Sequence, residues 1–540
     1  MTQSPQDDCA AAAVDHADQT QTRRAAGGPL SRVISQPRRT RVRLDGSATG
    51  MRRQWLDFLG GPAGKYAAVG QARFFTPLRV LWIVASVFIA LAWAFKANCM
   101  RGKLDDSGQV VLDWSGSRPN ASFCYSDIVP LYGAEGLSAG HFPYAYSWMD
   151  NGQVRYMEYP VLTGLFQWVM AQLTKLLYPV VQLIPGHTLP EVGLYYALNF
   201  AVLAVVWLGC VHLVVLLAGN RVWDTVLMVA SPLVLNHAFA NWDILPIYCA
   251  LAGLWLWRNR RPGWAGVAVG VGAAFKMWPI FILGAFLCVA WRYRTFAALV
   301  RSIAAAVVTV VAVNLPIAVL FPAGWREFFR LNQERGWEWT TLYAVASRMG
   351  WPGFDGGATP PVILNAVSFG LFALGCAAVL LLALAAQQVP RIGQLVFLIV
   401  ALFLLTNKVW SPQYSIWLAP LIVLALPRWR LAYAWMTAEA FVWAITFLKI
   451  GGDKLGPPDW LFNAVIVLRD GLLVAIMVLI VREVLGRSTD RIRAAHGGLD
   501  PLAPPEMNAV FAPGGRAAAD VENQGRKSAP LASVGEAGGV

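Results

Sequence analysis

The stretch "IGQLVFLIVALFLLTNKVWSPQYSIWLAPLIVLAL", Ile392 to Leu426, decides the class of this chain. Two apolar runs, each about long enough to cross lipid, meet at a short polar break holding Asn407, Lys408, Gln413 and Tyr414. Polar and charged groups between membrane segments cost free energy unless they are paired or bind something. The pattern recurs. Thirteen apolar runs lie between 77 and 482, and several are short and join in pairs at a polar tip.

Composition agrees. The chain has 540 residues, 57% hydrophobic and only 14% charged, which fits an all-α polytopic membrane protein rather than a soluble multidomain one. Many of the 24 Trp flank the apolar runs, as an interfacial belt requires. The net charge of +13 is no nucleic-acid footprint, because the arginines sit in short connections between lipid-length segments. Cys210, Cys249, Cys288 and Cys376 fall inside apolar runs. Cys99 and Cys124 share the first long polar connection and are free to pair if it faces an oxidising exterior.

Residues 1–75 and 488–540 read as disordered tails, the first basic and not a cleaved signal peptide. Between them, 76–487 is the membrane domain, with outer loops at 97–158 and 321–360. "RNRR" at 258–261, "WRYR" at 291–294, "PRWR" at 427–430 and "VREVLGR" at 481–487 mark cytoplasmic connections. Alternation then requires one run not to cross. The run 160–184 is chosen, because Thr163, Gln167 and Thr174 share a helical face. About twelve spans result, in the plasma membrane, with both termini cytoplasmic.

This topology gathers the polar features on the extracytoplasmic side. In the first loop, Asp127 suits a general base for a hydroxyl, and its spacing also suits capping a short helix. Glu158, beside Tyr159, is a second carboxylate or merely solvated. "NHAFANWD" bunches Asn236, His237, Asn241 and Asp243 at one tip, where Asp243 also fits an N-cap and His237 a structural histidine. Lys276 and Lys408 are cations at membrane depth that either bind an anionic headgroup or snorkel. Arg326, Arg330, Arg335 and Arg348 add positive charge outside, against the positive-inside pattern. The sequence has no P-loop, no HExxH, no GxSxG, no DxD pair and no metal-ligand spacing.

In order, "DIVPLY" at 127–132, "EYPVLTG" at 158–164, "NWDILP" at 241–246, "RRPGWAGVAVGVGAAFKMWP" at 260–279 and "NKVWSPQYSIWLAPL" at 407–421 resemble a known family. It is the polyprenol-phosphate-mannose-dependent mannosyltransferases of glycosyltransferase family 87, in the GT-C superfamily. The resemblance covers 77–485 and implies a GT-C-like bundle with a long first extracytoplasmic loop. It implies a polyprenyl-phosphate sugar donor embedded among membrane lipids, a glycolipid or polysaccharide acceptor, and no metal or cofactor. It carries over to Asp127 as base and to Lys276, Lys408 and Gln413 as pocket residues. Asn407, Tyr414, Tyr159 and Arg335 join them as candidate substrate contacts. Two departures stand out: Val161 follows Pro160 where the family often has a second proline, and "DDSGQVVLDWSGSRPN" at 105–120 is an insertion. A pentose (arabinose) transferase stays open within the enzyme class. A lipid or sugar transporter or flippase is the reading from another class, and a non-catalytic scaffold is a further one. Against transport, the chain shows no internal repeat, and its polar groups gather toward one face.

Overall fold

Gly266 and Gly270 bring two helices into backbone contact. A Cβ on Gly266 would lie 2.0 Å from the Ser302 carbonyl oxygen, and one on Gly270 would lie 2.7 Å from that of Ala306. Small residues four apart allow such an approach where no hydrophobic force drives helices together. The Ser302 hydroxyl closes it by donating to the Pro262 carbonyl at 2.7 Å.

The computed structural model describes residues 75–509 except Asp453, and they are mostly helical. Helix α1 (Pro77–Ala97) leads into the first loop. That loop holds the antiparallel pairs β1–β2 (Gly102–Leu104, Val110–Leu112) and β3–β4 (Trp148–Asp150, Gln153–Arg155), with short helices α2 (Arg118–Ala121) and α3 (Ile128–Ala134). The 105–120 insertion forms most of the first hairpin and α2, and a Cys99–Cys124 disulfide fastens it to the end of α1. Helices α4 (Val161–Gln182), α5 (Glu191–Ala218), α6 (Val226–Val229) and α7 (Pro232–Asn236) follow. Then come α8 (Ile244–Arg258), α9 (Pro262–Phe275), α10 (Phe281–Tyr293) and α11 (Phe296–Leu320). The second loop carries α12 (Pro322–Glu334) and α13 (Leu342–Arg348) before α14 (Val362–Ala385). The chain closes with α15 (Ile392–Thr406), α16 (Leu418–Ala425), α17 (Trp429–Ile450), α18 (Asp459–Val484), α19 (Arg491–Ala495) and α20 (Pro505–Ala509).

Among the described residues, six helical stretches are long and apolar enough to cross a membrane. Five shorter apolar ones, α8 and α9 among them, run about 20 Å each and meet in pairs at polar tips. The run 222–240 differs from its reading as a plain span. Pro232 has no N–H to continue a helix, and the Ser231 hydroxyl instead accepts from Leu233 N–H at 3.1 Å. The run therefore breaks into 3₁₀ turns and the fragments α6 and α7.

Helix α4 begins and ends at the same end of the bundle. Just before it, the Pro160 carbonyl accepts from the Tyr144 hydroxyl at 2.9 Å; just after it, Thr188 accepts from Gly102 N–H at 3.1 Å. Its polar face, Thr163, Gln167 and Thr174, is the buried one, while Val169, Leu176, Val180 and Leu183 are exposed. The helix thus keeps its polar side inward and its apolar side outward.

The sequence reading ended the folded domain at 487, and the structure corrects it. Residues 488–509 pack at the end opposite the first loop. The buried Arg391 donates through Nε to Asp490 at 2.6 Å and through its other nitrogens to the Leu424 and Ala425 carbonyls, each at 2.7 Å. Asp500 accepts from Ile392 N–H at 2.8 Å and so satisfies the start of α15. These partners lie about a hundred positions apart, so no local pattern announces them. Asp490→Ala, which strips Arg391 of this partner, is expected to cost about 3 kcal/mol. Thermal unfolding of the purified protein checks this, and an unchanged melting temperature would count against it.

Candidate active site

Asp127 stands at the start of α3, yet its carboxylate does not cap the helix. Oδ2 accepts instead from Gln413 Nε2 at 2.9 Å, across 286 positions of chain. The Tyr125 hydroxyl also bonds to it. The backbone here is pinned: Asp127 N–H donates to the Ala240 carbonyl at 2.8 Å, and the Ser126 hydroxyl to the same carbonyl at 2.9 Å. Asp127 is enclosed by protein but keeps part of its surface accessible. Burial, then the nearby Glu158 charge, push its carboxyl up to about 7, against the opposing pull of Lys276. A carboxyl raised in this way accepts protons only above that value. If it is the base, transfer should fall as pH drops through about 7 and level off above it. A pH–rate profile flat through that region would remove its ionisation from the rate.

The second centre is the Lys276–Asp243 ion pair. Asp243 is buried at the start of α8, but its carboxylate does not cap that helix either; it bonds the Lys276 ammonium. Its own N–H donates to Asn241 Oδ1 at 3.0 Å, and Oδ2 has no hydrogen-bond partner. The ammonium also lies 4.2 Å from the Tyr414 ring centroid and 5.4 Å from that of Trp417, and those two rings stack at 4.6 Å. Lys276 is therefore held inward, not snorkelled. Tyr159, Thr163, Trp242, Pro246 and Phe275 line a small recess with this pair, and Tyr159 meets Trp242 edge-on at 5.2 Å.

The remaining candidates form the rim or the backing. Burial raises the Glu158 carboxyl, with Arg335 and Lys276 opposing. Arg335, 44% exposed, lies 3.8 Å from Glu338. The Lys408 ammonium bonds the Arg335 carbonyl and lies 3.5 Å from that of Gln333, so it seals the end of α12. It fastens the second loop and does not point into the recess. Asn407 shapes its own tip by donating to the Val409 carbonyl at 2.7 Å. Asn236 ends α7, half-buried. His237 is buried behind the site, 3.8 Å from Glu439 and 5.0 Å from the Trp443 ring.

Tyr125, Trp242 and Glu135 were not singled out in the sequence. Tyr125, two residues before Asp127, was within reach of such a reading. Glu135 was not: nothing in its loop sequence marks it, yet it is buried, and its carboxyl is pushed well up by burial and by Glu158. Among the described residues, no three His, Cys, Asp or Glu converge as metal ligands would.

The family model for glycosyltransferase family 87 matches residues 159–407. The match includes Tyr159, Asp243, Lys276 and Arg335, and excludes Asp127 and Gln413. No curated protein matches the chain. Among solved structures, the crystal structure of ArnT from Cupriavidus metallidurans bound to undecaprenyl phosphate is similar over 76% of this chain and 78% of that one. The identity is 14% and the TM-score 0.35, which identifies no residue of the site. Its apolar helices and this match, which spans a little under half of the chain, support a membrane glycosyltransferase similar to family 87 over residues 159–407.

Proposed function

We propose that the protein moves a hexose, mannose in the first instance, from a polyprenyl-phosphate carrier to a glycolipid or polysaccharide acceptor on the outer membrane face. The acceptor hydroxyl attacks the anomeric carbon, the bond to the phosphate oxygen breaks, and Asp127 takes the hydroxyl proton. Single displacement inverts the anomeric centre and needs one carboxylate, not the pair of a retaining glycosidase. Charge developing on the departing phosphate falls near Lys276 and Arg335, where preorganised cations lower the barrier most.

The observation that carries this reading is Asp127 itself. Its carboxylate bonds side chains instead of capping its helix, it keeps some accessible surface, and it shares its surroundings with Lys276 and Glu158. The Cys99–Cys124 disulfide in the same loop favours an oxidising, extracytoplasmic side. The test is transfer from radiolabelled polyprenyl-phosphate-mannose to native lipid extract by purified protein. Label in a glycolipid of inverted linkage is expected. Label delivered only from an arabinose carrier would replace the sugar, and carrier movement across vesicles without transfer would replace the enzyme by a flippase.

A further inference from the structure

Arg469, on α18, is fully buried among apolar helices, where an ionised side chain is costly and commonly serves function. Its Nη1 donates to Glu439 on α17 at 2.8 Å, and its Nε lies 2.5 Å from Asp470. Those two carboxylates explain its charge. They do not explain its shape. The guanidinium carbon lies 3.5 Å from the centroid of the Trp410 ring, and Nη2 donates to the Thr340 carbonyl at 2.6 Å. A lysine could pair with the same acids, but it has no flat face for an indole and no fork that also reaches a carbonyl.

Trp410 belongs to the polar tip between α15 and α16. The Thr340 hydroxyl donates to its carbonyl, and its own Nε1 donates to Ser415 Oγ at 3.0 Å. The tip continues as a 3₁₀ turn, Pro412–Trp417, entered through a bond from Tyr414 N–H to the Ser411 carbonyl at 2.9 Å. From that turn Gln413 donates to Asp127 at 2.9 Å, and the Tyr414 ring meets the Lys276 ammonium at 4.2 Å. We propose that Arg469 is the positioning residue of this tip: its guanidinium seats Trp410, and through it sets where Gln413 holds the Asp127 carboxylate. This rests on the reading of Asp127 as base.

The experiment measures kcat for transfer from polyprenyl-phosphate-mannose, per mole of folded protein, in a double-mutant cycle of Arg469→Lys and Gln413→Ala, with Asp127→Asn alongside. Arg469→Lys is expected to lose about 10- to 100-fold, the scale of a catalytic group displaced by about 1 Å. Gln413→Ala should lose at least as much, and the double variant should be no slower than Gln413→Ala, because both act on one contact. A role in the fold alone would lower the melting temperature and multiply with Gln413→Ala. Losses that multiply, or wild-type kcat in either single variant, overturn the inference. Should Arg469→Lys not fold, Trp410→Phe carries the test, since it leaves the charged cluster intact and removes the bond to Ser415. Its loss should likewise vanish in the Gln413→Ala background, and wild-type kcat or a multiplying loss overturns the inference. Activity retained by Asp127→Asn removes the base reading and this inference with it; an inactive Asp127→Asn beside multiplying losses removes this inference alone.

Discussion

Asp127→Asn is expected to cut transfer by about 10²–10⁴-fold, the usual contribution of a positioned general base. The amide is close to isosteric and can still bond Gln413, so membrane insertion, melting temperature and donor binding should stay near wild type. The contrast is informative because the backbone here is held by Ala240 and not by the carboxylate. A folded variant that binds the labelled carrier but does not transfer from it assigns the loss to proton removal. Full activity would take Asp127 out of the mechanism.

Lys276→Met should act on stability first. It leaves Asp243, 1% exposed, without its cation, and breaking a buried pair from one side costs about 3–5 kcal/mol. The double variant Lys276→Met, Asp243→Asn removes the stranded charge and should recover most of the melting temperature. If Lys276 only braces the fold, transfer recovers with it. If its ammonium also meets the donor phosphate, the double variant is stable and slow, and the loss appears in binding of the labelled carrier. Stability unchanged in the single variant would show that the pair is better solvated than its burial implies.

Much of this site was legible before any coordinates. Asp127, Asp243, Lys276 and Gln413 stood out because each is polar where the surrounding sequence is apolar, and the structure brings all four to one end of the bundle. Partnership was what the sequence withheld. Helix capping was a standing reading of both Asp127 and Asp243, and only side-chain direction excludes it. Lys408 looked like a free headgroup cation because its partners are backbone carbonyls, which leave no mark in a sequence. Hydrophobicity likewise registered that 222–240 is buried, not that Ser231 and Pro232 interrupt it. The folded 488–509 segment was missed because its composition resembles a tail while its contacts are ion pairs to distant positions.

The one-sided burial of α4 has one more consequence. A 22-residue helix is about 33 Å long, and along it Val169, Leu176, Val180 and Leu183 form an exposed apolar strip opposite the buried Thr163, Gln167 and Thr174. In a membrane protein such a strip is suited to hydrocarbon, and a charge introduced on it would carry the cost of an ion placed against lipid.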